Sequence, residues 1–499
     1  MSPPSHSILA PPQAPRRVRV AIVGGGISGL AAAQWLHERA PHLDLTLLEA
    51  SGRLGGILQT TARDGWLIEH AADMFTTRDP WAVDLCGRLG LAHELIGTNP
   101  AYRQAYVIRR GRLRPVPAGF TLLAPARIWP ILASPILSPW GKLRLAAECF
   151  IPPRRASDDE SLQSFVVRRF GREAFDRLIQ PLIGGIYTAD PAQLSMQATL
   201  PQFLDLERRH GSLIRAAWQG EVARPGAVPA EPGHAKPIDA SASGARYGLF
   251  VAPRQGMQQL VDALAAKLPP NSVRLSTPVQ RIRGGPPWNL TLASGEQAVV
   301  DGLIIATPAP VAAQLLHDVD RELAALLGSI AHAGCAVVVV GVDRQQLQRP
   351  IHGFGIVVPA IERRRILAIS VSSLKFPGRA PEGKALLRVF LGGALQPELL
   401  AQSDSALEQI ALEELHELLG LTGQPLFTQV LRWEGKMPQY HVGHCQKVQT
   451  IQQRVAQLGA FALAGNALEG VGIPFCIRSG QAAAQRVWEA LGAAATPRP

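Results

Sequence analysis

One stretch constrains this chain more than any other: VAIVGGGISGLAAAQWL, from Val20 to Leu36. The apolar run from Val18 to Val23 predicts a short buried strand. The Ala- and Leu-rich pattern from Ile27 to Arg39 predicts a helix, and LTLLE, from Leu45 to Glu49, predicts a second strand. Strand, glycine turn, helix and strand in this order make a βαβ unit, which needs a parallel sheet around it. Gly24 permits the tight turn out of the strand. Gly26 lets the backbone approach a pyrophosphate, and Gly29 lets the helix pack close to the strand. The helix N-terminus then offers free N–H groups and a positive dipole end to an anion. Glu49 ends the second strand 20 residues beyond Gly29. A carboxylate there meets the ribose hydroxyls of an adenosine and repels a 2′-phosphate; its bland alternative is a solvated strand end. A second glycine turn follows in SGRLGG, Ser51 to Gly56, where Gly55 and Gly56 again allow close backbone approach and Arg53 can brace a diphosphate.

With 499 residues, 47% of them hydrophobic, the chain is long enough for two or more domains with their own cores. A net charge of +11 suits an acidic small substrate, an anionic lipid surface or nucleic acid. No dense Lys/Arg run and few aromatics accompany it, so no nucleic acid is expected as a partner. Cys86, Cys149, Cys335, Cys445 and Cys476 form no CxxC pair, so no metal site is expected and a reducing, cytoplasmic setting is. Residues 1–17 are Pro/Ser/Ala-rich, are expected to be disordered, and lack the apolar core of a secretory signal. Residues 216–245 read as a flexible loop. Between Pro115 and Ile151 the chain is apolar, but Pro125, Arg127, Pro130, Pro135 and Pro139 interrupt it. That pattern predicts short helices and turns, forming either a buried wall or an apolar face that touches a membrane surface or lines a substrate entrance. Ser157, Asp158 and Asp159 offer caps to the helices that follow, and Gly184-Gly185 predicts a break in them.

The paired glycine turns resemble the FAD-binding signature of the amine oxidase and phytoene desaturase superfamily. A longer set of motifs is more specific: FGREAFDRLIQPLIGGIYTADPAQLSM, GFGIVVP, MPQYHVGH and GVGIPFCIRSG, together with AIVGGGISGLAAA and RLGG. Together they resemble the flavin-dependent protoporphyrinogen/coproporphyrinogen III oxidases, from about Arg17 to Leu491 but without the 219–244 loop. The resemblance implies an α/β fold: a Rossmann-like FAD-binding domain of the amine oxidase superfamily type, a mixed-sheet substrate domain and a helical subdomain. The expected segments are 18–85, 246–310 and 431–499 for the FAD domain, 86–215 for a helical, membrane-facing and substrate subdomain, and 311–430 for the substrate domain. It also implies a porphyrinogen oxidised by FAD in three rounds, with oxygen as acceptor and peroxide released. By family position the FAD would touch Gly24, Gly25, Gly26, Ile27, Ser28, Gly29, Glu49, Ala50, Arg53, Gly55 and Gly56. It would also touch Ala71, Ala72, Asp73, Met74, Val279, Trp433, Gly465, Val471, Gly472 and Ile473. The last three would start a helix aimed at the flavin ring.

Phe354 and Val357 would sandwich the macrocycle against the flavin, or else serve as strand core. Arg78 and Arg168, with Arg169, are candidates for its carboxylates, or else solvated surface cations; Tyr440 and His444 look functional, with packing and hydrogen-bond anchoring as the more common role for such a pair. One departure bears on substrate. Where protoporphyrinogen-specific members carry an arginine, this chain has Asp73, and Ala71-Ala72 replaces the usual Gly-Pro. That is more like the bacterial coproporphyrinogen-oxidising members, so coproporphyrinogen III is expected ahead of protoporphyrinogen IX. Amine oxidases and carotenoid desaturases remain alternatives, as does a flavoprotein that carries porphyrin without oxidising it. Oligomeric state is left open.

Overall fold

A computed structural model describes residues 17–121, 123–125, 129–156, 158–219, 247–349 and 351–495. The glycine-spaced unit forms as expected, with β1 (Arg19–Val23), α1 (Ile27–Arg39) and β2 (Asp44–Leu48). Its sheet has five parallel strands in the order Val273–Arg274, β2, β1, Gly302–Ile305 and Phe461–Leu463. Strands far apart in sequence therefore complete one sheet. Val20 and Ile22 face α1 and the C-terminal helix Ile473–Ala495, while Ala21 and Val23 face a second cluster around Trp288 and Leu303. Burial on both faces explains why β1 is apolar throughout rather than alternating.

A second, seven-stranded mixed sheet runs Phe427–Pro438, His332–Asp343, Lys384–Gly392, Ala368–Val371, Gly355–Val357, Ala105–Arg109, Arg112–Pro115. Its one parallel pair is Gly355–Val357 with Ala105–Arg109. The sheet takes strands from across two expected boundaries. Residues 105–115 come from the segment expected to hold the helical and substrate subdomain, and Phe427–Pro438 runs through the 430/431 division.

The helical part differs from expectation in three places. The break falls at Gly171, whose φ of +87° lies in the left-handed region, and the helix Gln180–Tyr187 runs on through Gly184 and Gly185. Two helical glycines cost about 2 kcal/mol in propensity, which the full burial of Leu178, Ile179 and Ile183 offsets. The residue that caps Leu162–Phe170 is Ser161, whose Oγ accepts from the Ser164 amide at 3.1 Å. Asp159 instead accepts from Ser195 Oγ and from the Gln197 and Gly443 amides, stitching distant segments together. Of the expected loop, residues 216–218 end the helix Leu213–Trp218; 220–245 lie outside the described residues, as do 1–16.

Residues 115–151 do form short pieces, including the helices Trp129–Ala133 and Pro139–Ala146. Ile131, Ile136, Leu137 and Leu145 point inward. Among the described residues no helix is long and apolar enough to cross a membrane.

Candidate functional site

The two glycine turns lie against each other. The Gly55 amide donates to the Gly25 carbonyl at 2.8 Å, and Gly26 and Gly55 pair as an isolated bridge. A methyl on Gly56 would stand 3.2 Å from Gly26 Cα, and one on Gly24 would stand 2.7 Å from the Ala306 carbonyl oxygen. Gly29 and Gly55 are as crowded, by the Gly24 and Leu58 carbonyl oxygens, whereas a methyl on Gly26 would meet only Gly56 Cα, at 4.0 Å. No side chain caps α1 and no acidic residue occupies its first turn, an arrangement that suits an outside anion at its leading N–H groups. Glu49 stands at the rim, just past the last paired residue of β2. Its carboxylate accepts from the Gly25 amide at 2.7 Å and the Ser51 amide at 2.8 Å, one from each turn. The Arg274 carbonyl and the Thr277 amide clasp its backbone, which brings the half-buried Val279 alongside. Ala50 continues the rim. Arg53 braces the second turn from within, donating to the carbonyls of Leu54, Leu58 and Gly56. This cradle and its carboxylate suit the diphosphate and adenosine of a dinucleotide.

Ile27, Ala72, Met74 and Ile473 share one apolar cluster. Ser28 is buried where Gly480 of the C-terminal helix crosses α1. The Gly465 amide donates to Ser479 Oγ at 3.1 Å, fixing the late turn to that same helix. Val471 and Gly472 precede the helix, and Val471 packs on the helical cluster that also receives Val357. Trp433 Nε1 donates to the His70 carbonyl at 2.9 Å, so it holds the 70–74 segment from behind.

Asp73 is buried in a charge cluster that sequence reasoning missed. Lys375 Nζ lies 2.8 Å from its Oδ2, and an Arg388 nitrogen lies 3.3 Å from the same oxygen. Arg388 also donates to the Ala71 carbonyl. Burial would raise the Asp73 carboxyl, but Lys375, Arg388 and Arg379 outweigh it and hold it below its ordinary value. Neighbouring Glu69 goes the other way: burial, only partly offset by hydrogen bonds from Thr60 and the Met257 amide, pushes it up to about 7. Arg388 interrupts the apolar run Ala385–Leu391, a signal that could have exposed the cluster; nothing local marks Lys375.

Phe354 is buried, with Lys375 Nζ 5.6 Å from its ring centre. Val357 is half-buried, and a methyl on Gly185 would come 3.6 Å from its Cγ1. Arg78 is exposed and its guanidinium has no ion-pair partner among the described residues. Arg168 is not available for substrate: Glu207 at 2.5 Å and Glu160 at 2.7 Å take its guanidinium. Arg169 is fully buried between Glu148 and Glu207. Both arginines hold the helices together. Tyr440 stacks on His444 at 4.2 Å, donates to the Asn466 carbonyl, and together with the His444–Leu468 contact ties the late turn down. Among the described residues, no three His, Cys, Asp or Glu side chains gather as a metal centre.

The model for flavin containing amine oxidoreductases matches residues 27–488. A coproporphyrinogen III oxidase of Bacillus subtilis (strain 168) is 36% identical over 473 residues, 93% of this chain and 96% of the relative. A chloroplastic protoporphyrinogen oxidase of Nicotiana tabacum is 31% identical over 93% of this chain and 84% of its own. A crystal structure from Exiguobacterium sp. 255-15, named a candidate protoporphyrinogen oxidase, superposes with a TM-score of 0.82 at 30% identity, covering 95% and 99% of the two chains. The chain belongs to the flavin containing amine oxidoreductase family, in the branch of the coproporphyrinogen III and protoporphyrinogen oxidases, and its cofactor is FAD.

Proposed function

We propose that this protein oxidises a porphyrinogen to a porphyrin in haem biosynthesis, in the cytoplasm, with coproporphyrinogen III preferred to protoporphyrinogen IX. The observation that carries the reading is the packing of Val357, Val471 and the helix Gln180–Tyr187 on one apolar cluster, with Val357 three residues along the chain from the buried Phe354. An apolar surface of that kind suits a macrocycle, and an exposed cation such as Arg78 suits a propionate. FAD, when bound, would supply the redox chemistry: three two-electron oxidations of the porphyrinogen, with oxygen as the terminal acceptor and hydrogen peroxide as its product. The chain's own part is to hold the macrocycle flat and exclude water, with the cradle fixing the diphosphate. Asp73 stands where the bacterial coproporphyrinogen-oxidising members have an acid, and relatives from Bacillus, Staphylococcus and Propionibacterium named coproporphyrinogen III oxidase support the preference. All five cysteines are free, in keeping with a reducing compartment. Parallel kinetics in air with the two porphyrinogens, read by porphyrin fluorescence and peroxide, tests this. A higher kcat/KM for coproporphyrinogen III is expected. FAD-loaded protein that leaves both substrates unoxidised would make it a carrier or a different flavoenzyme.

A second reading concerns the surface. Trp129 and Trp140 are each 80% exposed and Phe150 84%, with Leu132 and Leu143 beside them in the same short segment. Three bare aromatics on a basic chain suit shallow docking on an anionic membrane.

A further inference from the structure

The cluster around Asp73 holds more positive charge than negative. Lys375 is 5% exposed, Arg388 2% and Arg379 1%, against the carboxyls of Asp73 and Glu69. Arg379 donates to the carbonyls of Arg254 and Pro253, and Arg388 Nε has no hydrogen-bond partner among the described residues. The Phe390 ring covers the Arg388 guanidinium at 5.2 Å, which keeps that charge dry. Burying surplus charge costs free energy, so a fold keeps it where an anion returns the stabilisation. The fold brings Asp73, Lys375 and Arg388 together from three places: the 70–74 segment, the helix Ser372–Lys375, and the strand Lys384–Gly392, whose Arg388 pairs with Ser370 of the preceding strand. Lys375 joins the two sides. Its ammonium sits on Asp73, expected against the flavin, and beside the ring of Phe354, expected against the substrate.

We propose that Lys375 is a positioning residue for the cofactor: anchored on Asp73, it supplies the surplus positive charge that favours the reduced, anionic flavin. The inference rests on the reading of residues 70–74 as flavin-facing, and it requires no particular porphyrinogen. Opposite charge changes at one ion pair should move the cofactor in opposite directions, which loss of packing cannot do.

The test uses the FAD-loaded full chain and the variants K375M, K375R and D73N. FAD per chain is read by absorbance. The two-electron reduction equilibrium is then measured anaerobically against a reference dye. K375M should shift the equilibrium about tenfold toward oxidised flavin, about 30 mV more negative. K375R should stay within about twofold of wild type, and D73N should shift about tenfold the other way. Equal-sign shifts in K375M and D73N, or FAD retained with neither moving twofold, overturn the proposal. If K375M loses its FAD, the near-isosteric D73N decides by itself: no shift, or a shift toward oxidised flavin, overturns it. Turnover of coproporphyrinogen III by wild type is followed beside these measurements. Absent fluorescence with the charge-dependent shifts intact would sink the substrate reading and leave Lys375 in its role.

Discussion

Gly480 lies inside the C-terminal helix Ile473–Ala495, where helix propensity alone favours alanine by about 1 kcal/mol. The packing says the reverse. A methyl at Gly480 would stand 2.9 Å from the Ser28 carbonyl carbon and 3.2 Å from the Ala32 amide nitrogen, with the Ser28 oxygen nearer still. All three are backbone atoms of α1, so no side chain can swing aside. Restoring ordinary contact moves one helix from the other by about 0.5 Å or more, judged from the carbonyl carbon. Overpacking of this kind costs about 1–3 kcal/mol and exceeds the propensity gain. The displaced helices are those whose N-termini begin at Gly26 and Ile473, so the cradle opens as well. G480A should therefore melt a few degrees below wild type and bind FAD at least tenfold more weakly, since sub-ångström errors at such sites are expensive. G492A in the same helix is the control: a methyl there meets nothing within 4 Å, and it should be neutral or slightly stabilising. Flavin fluorescence during a thermal ramp reports both FAD release and melting, and FAD titration of the apoprotein gives affinity. A G480A protein as stable as G492A, with unchanged FAD affinity, would refute the close crossing.

Three further outcomes are expected. Glu69 stays protonated in the fold up to about pH 7, against an ordinary value of 4.5. Its contribution to stability is complete below that ordinary value and is lost as the pH rises to about 7, about 3 kcal/mol in all. Wild type should lose more stability than E69Q between pH 5 and 8 in denaturant melts; parallel pH curves would count against the raised carboxyl. R168A should leave KM for the porphyrinogen unchanged and lower stability by about 2–3 kcal/mol, because two buried carboxylates lose a partner, while R78A should raise KM severalfold. A KM effect in R168A alone would reverse these assignments. Replacing Trp140 and Phe150 by Ser should weaken co-sedimentation with anionic vesicles on the order of 100-fold, from about 3 kcal/mol of lost apolar burial, with activity in buffer unaltered. Equal sedimentation of the variant would exclude that face from docking.

The cradle was legible in the sequence because its requirements are local. A strand, a turn that only glycine can make, a helix start and a carboxylate at fixed spacing specify a diphosphate and adenosine site within about forty residues. The same locality identified α1 to the residue and the two strands that flank it to within one. Where competing neighbours decide the outcome, sequence reading failed. Gly184-Gly185 reads as a helix break, yet buried Leu178, Ile179 and Ile183 carry the helix through it. Asp159 reads as a cap, yet it serves Ser195 and Gly443 from elsewhere in the chain. Arg168 reads as a free cation until the fold brings Glu160 and Glu207 to it. Lys375 meets Asp73 across 302 positions, a distance over which no periodicity carries information. Backbone conformation is set by near neighbours and steric rules, so the sequence by itself determined the turns and the cofactor class. Burial and charge pairing are sums over groups remote in the chain, so only the tertiary structure decided which ionisable side chains are free to meet a ligand and which are held by the protein.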